Sequence, residues 1–166
     1  MKIQLNGLIY RFPKELKLLI TAFLFILSIG YYSGLLFVNN TTATNPKGIQ
    51  ENYLGNENDE LATKMKFKKS KREIISIVHT HILSMAMIFF FVGLLFLTTQ
   101  LNYKLKLILI IEPFVYIILT FGGIYLLWKG FTMLKYIIII SGSIMTLSYT
   151  TMVVIIIKQL YKYPKN

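Results

Sequence analysis

Four apolar runs, at about 18–38, 74–98, 107–127 and 136–157, decide what this chain can fold into. Each reaches the roughly 20 residues that cross a hydrocarbon core of about 30 Å. No water reaches the backbone in such a core, so every N–H and C=O must pair within its own segment. The runs are therefore expected to be helices. The expected architecture is all-α: an integral membrane four-helix bundle, one transmembrane domain over 1–166, with one longer polar loop (39–73) between helices 1 and 2. Composition agrees, at 55% hydrophobic residues with a mean hydropathy of +0.59.

A net charge of +11 raises the question of nucleic acid. The charges sit at the ends of the spans, as at Lys14, Lys17, Lys104, Lys106, Lys129, Lys135, Lys158 and Lys162, where anionic headgroups and snorkelling account for them. No nucleic-acid motif, zinc pattern or phosphate loop accompanies them. The lipid bilayer is the expected partner, and nucleic acid is not. The chain has no cysteine, which excludes disulfides, iron–sulfur clusters, covalently attached haem and thiol catalysis.

Along the chain, a basic head (Lys2, Arg11, Lys14, Lys17) precedes the first span, and Pro13 is placed to open its helix. Gly30 and Gly34 form a small-xxx-small pair, suited to packing against a neighbouring helix or a second copy. Pro46, Gly48 and Gly55 argue against a long regular element at the start of the 39–73 loop. Lys64 to Arg72 reads as an amphipathic helix lying on the headgroups. Glu112-Pro113 and Gly122-Gly123 interrupt the third span, where Pro113 can kink the helix. The fourth span is rich in small and hydroxyl residues, the pattern of a helix packed inside a bundle. The tail from Lys158 onwards is basic and aromatic, an interface anchor. The basic residues around spans one, three and four place both termini in the cytoplasm, and the Lys64–Arg72 cluster votes the other way.

The second span carries the only two histidines, His79 and His81, followed by Met85 and Met87. Residues two apart on a helix point about 200° away from each other, so one metal cannot readily take both. His81 and Met85, four apart, share a face and could hold a soft metal such as copper. A histidine could instead pair with Met145 at a b-type haem, since His81 and Met145 differ by roughly 3 Å in expected depth. Ordinary packing or interfacial roles for both histidines stand beside these readings. Glu112 is the only acid inside a span, and Tyr116 follows it at i+4 on the same face, a candidate proton or ion site. No catalytic residue set is visible.

The pieces NPKGIQENYLG, MKFKKSKREII and HTHILSMAMIFFFVGLLF, within residues 34–96, resemble segments of small four-helix inner-membrane proteins of flavobacteria and related bacteria. The resemblance implies that the loop and the histidine span form one unit, and it implies no catalytic residue. The functional expectation is a small multi-pass inner-membrane protein, a non-enzymatic subunit or accessory factor of a larger respiratory or transport complex, with other membrane-protein subunits or further copies of itself as partners. The alternatives are a haem- or copper-binding protein built on His79, His81, Met85 and Met145, and a small proton-coupled carrier using Glu112.

Overall fold

A computed structural model of the chain describes residues 5–60, 62 and 64–162. Lys2 of the basic head and residues 163–166 of the anchor tail lie outside the described residues. A 3-10 turn (Leu8–Arg11) is followed by α1 (Lys14–Thr42), α2 (Pro46–Leu54), α3 (Lys71–Leu97), α4 (Tyr103–Ile117), a π turn (Ile118–Gly122), α5 (Gly123–Trp128) and α6 (Leu134–Tyr161). There is no strand among the described residues. Helix α1, helix α3, the run Tyr103–Trp128 and helix α6 are each long and apolar enough to cross a membrane, so the expected four-helix membrane bundle stands.

The helices overrun the apolar stretches because polar residues at their ends bond back into the helix. Thr41 Oγ1 donates to Phe37 O at 3.0 Å, and Thr42 Oγ1 donates to Val38 O at 2.8 Å. Pro13 precedes the first residue of α1 with extended backbone, the position where a missing N–H matters least.

In the loop, Pro46, Gly48 and Gly55 define a nine-residue helix rather than an irregular coil. Asn45 Oδ1 accepts from Gly48 N at 2.7 Å, Pro46 supplies a pre-set φ, and Gly55 stops the helix at φ 80°. Glycine is required at 48, because a Cβ there would lie 1.9 Å from Thr42 O at the end of α1.

The amphipathic helix expected over Lys64 to Arg72 does not form. Residues 65–70 form no helix or strand and are bonded laterally: Asn56 N donates to Lys66 O (2.9 Å), Lys66 N to Asn56 Oδ1 (2.6 Å) and Lys69 N to Tyr53 O (3.3 Å). These bonds meet the backbone's needs without a helix. Ser70 and Glu73 then close a reciprocal capping box, so α3 begins at Lys71.

The third span stays helical through Pro113, and its irregularity falls at the π turn five residues later. Thr120 Oγ1 and Ser141 Oγ, 2.7 Å apart, tie that turn to α6. Helix α6 meets α1, α2, α3, α4, α5 and the π turn. Its buried residues Ser141, Met145, Ser148, Tyr149, Met152, Ile156 and Leu160 recur at helical spacing, as a helix inside the bundle requires.

Candidate functional site

Helix α1 packs chiefly on α2 and α6, and the way it does so leaves a large cavity beside it. Four tyrosine hydroxyls bridge α1 and α6: Tyr161 to Thr21 (2.7 Å), Tyr149 to Ser28 (3.1 Å), Tyr31 to Thr146 (3.4 Å) and Tyr32 to Thr150 (2.8 Å). The rings of Tyr31 and Tyr149 stack at 4.0 Å with 4° between planes. In lipid, helices gain little from hydrophobic association, so interhelical hydrogen bonds and close packing hold them together. Neither Gly30 nor Gly34 takes part. A Cβ at either position would meet nothing within 4 Å, so the small-xxx-small pair faces open space rather than a helix of this chain.

That open space is a lateral cleft of about 1620 Å³. One wall is α1. The opposite wall is built from α3 (Ile77, His81, Ser84, Met85, Ile88), the π turn and α5 (Thr120, Phe121, Ile124), and the start of α6. Gly142 of α6 is another lining glycine with nothing within 4 Å of an added Cβ. At one end the cleft is floored by Ile49, Asn52 and Tyr53 of α2 and by Lys69.

The structure brings His81, Met85 and Met145 to this one cleft. His81 is exposed, Met85 half-buried and Met145 buried. His81 Nδ1 lies 2.8 Å from Ile77 O, and its ring centroid is 5.1 Å from that of Phe121. A carbonyl can only accept, so Nδ1 carries a proton, and in the neutral ring Nε2 keeps its lone pair. His79 is exposed and does not line the cleft, as a position two residues away on the helix requires. Among the described residues no three His, Asp or Glu side chains group as a metal site.

Glu112 sits apart from the cleft. It is half-buried, and Ser148 Oγ on α6 donates to its Oε1. Tyr116 is half-buried and packs against the apolar core.

Two features escaped the sequence reading. The first is Lys106, expected to snorkel at the end of its span. It is instead buried, 6% exposed, with Nζ donating to Asn6 Oδ1 (2.7 Å), Leu97 O (3.1 Å) and Thr99 O. The amino group neutralises the carbonyl end of α3 and ties the N-terminal segment to it. The only sequence signal is a lysine one turn inside a span, with an asparagine in the basic head.

The second is a polar pocket of about 630 Å³ beside α2, which shares Thr41, Thr42, Asn52 and Lys69 with the cleft. Its charged lining comprises Lys47, Lys64, Lys66 and Lys69 against Glu51 and Asp59. Lys47 is 3.1 Å from Asp59 and 3.7 Å from Glu51, and Lys66 is 3.9 Å from Glu51. The hydrogen bond and charge of Asp59, with a further contribution from Glu51, raise the pKa of Lys47 above its usual value. Burial raises that of Tyr53.

Four helices able to span a membrane, with no strand among the described residues, define a small multi-pass helical membrane protein, seated in a lipid bilayer. Within that class the chain belongs to the Aq_1264_TM family, described as a transmembrane helical domain, whose model matches residues 43–166. No curated protein and no solved structure matches the chain.

Proposed function

We propose that this is a non-enzymatic accessory protein of the bacterial inner membrane that holds the apolar part of an amphiphile in the α1 cleft. In this reading it is a small subunit of a larger respiratory or transport complex. Residues 1–166 form a single transmembrane domain with both termini cytoplasmic and the 39–73 segment outside. The kinship with small inner-membrane proteins of flavobacteria suggested by the loop and histidine span fits the same reading.

The observation that carries it is the cleft itself, about 1620 Å³ of mainly apolar lining with glycines on both walls. The test is native mass spectrometry of the full chain released in mild detergent from the membranes in which it was made. A retained amphiphile is expected, together with its loss when the cleft is filled by Gly34→Leu with Gly142→Leu. Both substitutions point into open space. Equal retention in the filled variant overturns the reading. Release as a lone chain, with no larger assembly, removes the subunit part of it.

A second reading is favoured by His81, Met85 and Met145 sharing the cleft, with His81 Nε2 left free by the Nδ1 bond to Ile77. It makes the protein a haem- or copper-binding electron carrier, using a thioether and an imidazole as soft ligands. A reduced-minus-oxidised visible spectrum and metal analysis of the folded protein decide it. The expected result is a haem band or copper that His81→Ala abolishes. Colourless, copper-free protein removes this reading.

A further inference from the structure

We infer that the guest of the cleft is an anionic phospholipid from the leaflet on the α2 side, with an acyl chain along α3 and its phosphate at the mouth of the polar pocket. This rests on the amphiphile-holding reading above and specifies the guest.

The first argument is continuity. The apolar cleft and the polar pocket share four residues, so one molecule with an apolar tail and a charged head can occupy both. The junction lies where α1 ends and α3 is about to begin, the level at which a headgroup sits.

The second is length. On α3 the cleft runs from Ile77 to Ile88. At 1.5 Å per residue that is roughly 16 Å, about half of a 30 Å hydrocarbon core. On α6 it runs from Ile138 to Thr146, roughly 12 Å, from the same end of the bundle. The α1 wall runs further, from Leu19 to Val38 or roughly 28 Å, but all three walls are present together over only about one leaflet, which suits an acyl chain. A partner's transmembrane helix needs the full thickness.

The third is charge. The pocket has four lysines against two acids, and neither Lys64 nor Lys69 is in an ion pair among the described residues. Lys68, Lys71 and Arg72 lie in the same stretch, and they outnumber Glu73, whose carboxylate feels the charge of Lys69. Lys69 is placed for the task. Its N–H donates to Tyr53 O (3.3 Å) and its carbonyl accepts from Trp128 Nε1 (2.8 Å), so its backbone is pinned at the junction of the two cavities.

The experiment reconstitutes the full chain into nanodiscs with equal phosphatidylglycerol and phosphatidylcholine, then counts retained lipids by native mass spectrometry. Phosphatidylglycerol is expected in excess. Lys69→Gln should lower its retention about fivefold and Lys64→Gln with Lys69→Gln about 25-fold, with phosphatidylcholine unchanged, since a lysine near an anionic surface contributes roughly 1 kcal/mol. Lys69→Arg, which keeps the charge, should keep the preference and so separates loss of charge from misfolding. Equal retention of the two lipids, or a double variant that behaves as the parent, overturns the inference. If the two are equal but the cleft-filling Gly34→Leu, Gly142→Leu variant loses both, only the headgroup assignment falls. If that variant keeps both, the cleft reading falls with it. A second copy or a partner helix in the cleft in place of lipid also overturns the proposal.

Discussion

The attachment of α1 offers the most direct test of how this bundle is held, because each of its four hydroxyl bridges to α6 contains one tyrosine. Replacing Tyr31, Tyr32, Tyr149 and Tyr161 by Phe removes all four bonds and leaves the Tyr31–Tyr149 ring stack in place. Three of the partner hydroxyls keep a second bond within their own helix: Thr21 to Lys17 O (2.8 Å), Thr146 to Gly142 O (2.9 Å) and Thr150 to Thr146 O (2.8 Å). Removing the tyrosine oxygens therefore forfeits the net worth of each bond and strands few groups unpaired. Interhelical bonds in membrane proteins average about 0.6 kcal/mol, so the four together contribute about 2.4 kcal/mol. That is a shift of roughly sixtyfold in the equilibrium between docked and released α1. The Tyr31–Thr146 contact, longest at 3.4 Å, should contribute least.

The chain has no cysteine, so Leu36→Cys on α1 and Ile140→Cys on α6, both exposed, can carry a unique pair of spin labels. Electron–electron distances recorded through a denaturing-detergent titration would follow the release of α1. The quadruple variant should release α1 earlier by the free energy above, and single variants by about a quarter of it. An unchanged midpoint would refute the reasoning and assign α1 to ring packing and to α2. A loss beyond about 7 kcal/mol would refute it from the other side, since it exceeds what four such bonds supply at their maximum of about 1.7 kcal/mol each.

Lys106→Met should destabilise the bundle by about 2–4 kcal/mol in thermal unfolding followed by circular dichroism, because the Leu97 and Thr99 carbonyls lose a charged donor. Lys106→Arg should fail to restore stability, since the acceptors converge on a point charge rather than a planar fork. Gly48→Ala should free α2 from the end of α1 and make the 39–73 segment sensitive to protease, whereas Gly30→Ala should leave it resistant, as only Gly48 has a neighbour in the way. The Lys47 bridges to Asp59 and Glu51 should hold at neutral pH. Lys47 has its pKa raised from 10.5, so its contribution is complete below that value and is lost only as pH rises through the raised one. Protection of the segment's amides, taken relative to the intrinsic exchange rate at each pH, that falls away well below pH 10 would contradict that assignment.

The spans were legible because roughly twenty apolar residues admit little besides a helix in lipid. Their ends were not, because Thr41 and Thr42 continue α1 by bonding to carbonyls already in the helix. The non-helical stretch before α3 differs from its expectation for a related reason. Its alternating charges look amphipathic, but Asn56 and Tyr53 meet its backbone from outside, and no local pattern announces that. Lys106 was hidden by distance in sequence, since one of its partners lies 100 residues away. The shared cleft of His81, Met85 and Met145 was half-visible: helical spacing puts the first two on one face, and depth counting brings the third level with them. The cleft itself was invisible, because Gly30 and Gly34 advertise close packing whether or not a helix arrives.

The family match begins at Ala43, one residue after α1 ends, so the matched transmembrane domain is α2 through α6 and α1 docks against it. It is held in two places, along α6 by the tyrosine hydroxyls and at its far end by Gly48 against the Thr42 carbonyl. Between them Gly30, Gly34 and Gly142 supply no side chain to close the gap. An empty gap forfeits dispersion contacts on both walls, and acyl chains in the surrounding bilayer restore them when they enter. On the proposed reading, shape is therefore what favours occupancy by lipid. Selectivity does not come from shape, because one saturated chain fills the apolar wall much as another does. It has to come from the polar end, where the basic stretch before α3 meets the cleft, and that places the discriminating chemistry in the segment the helix pattern failed to describe.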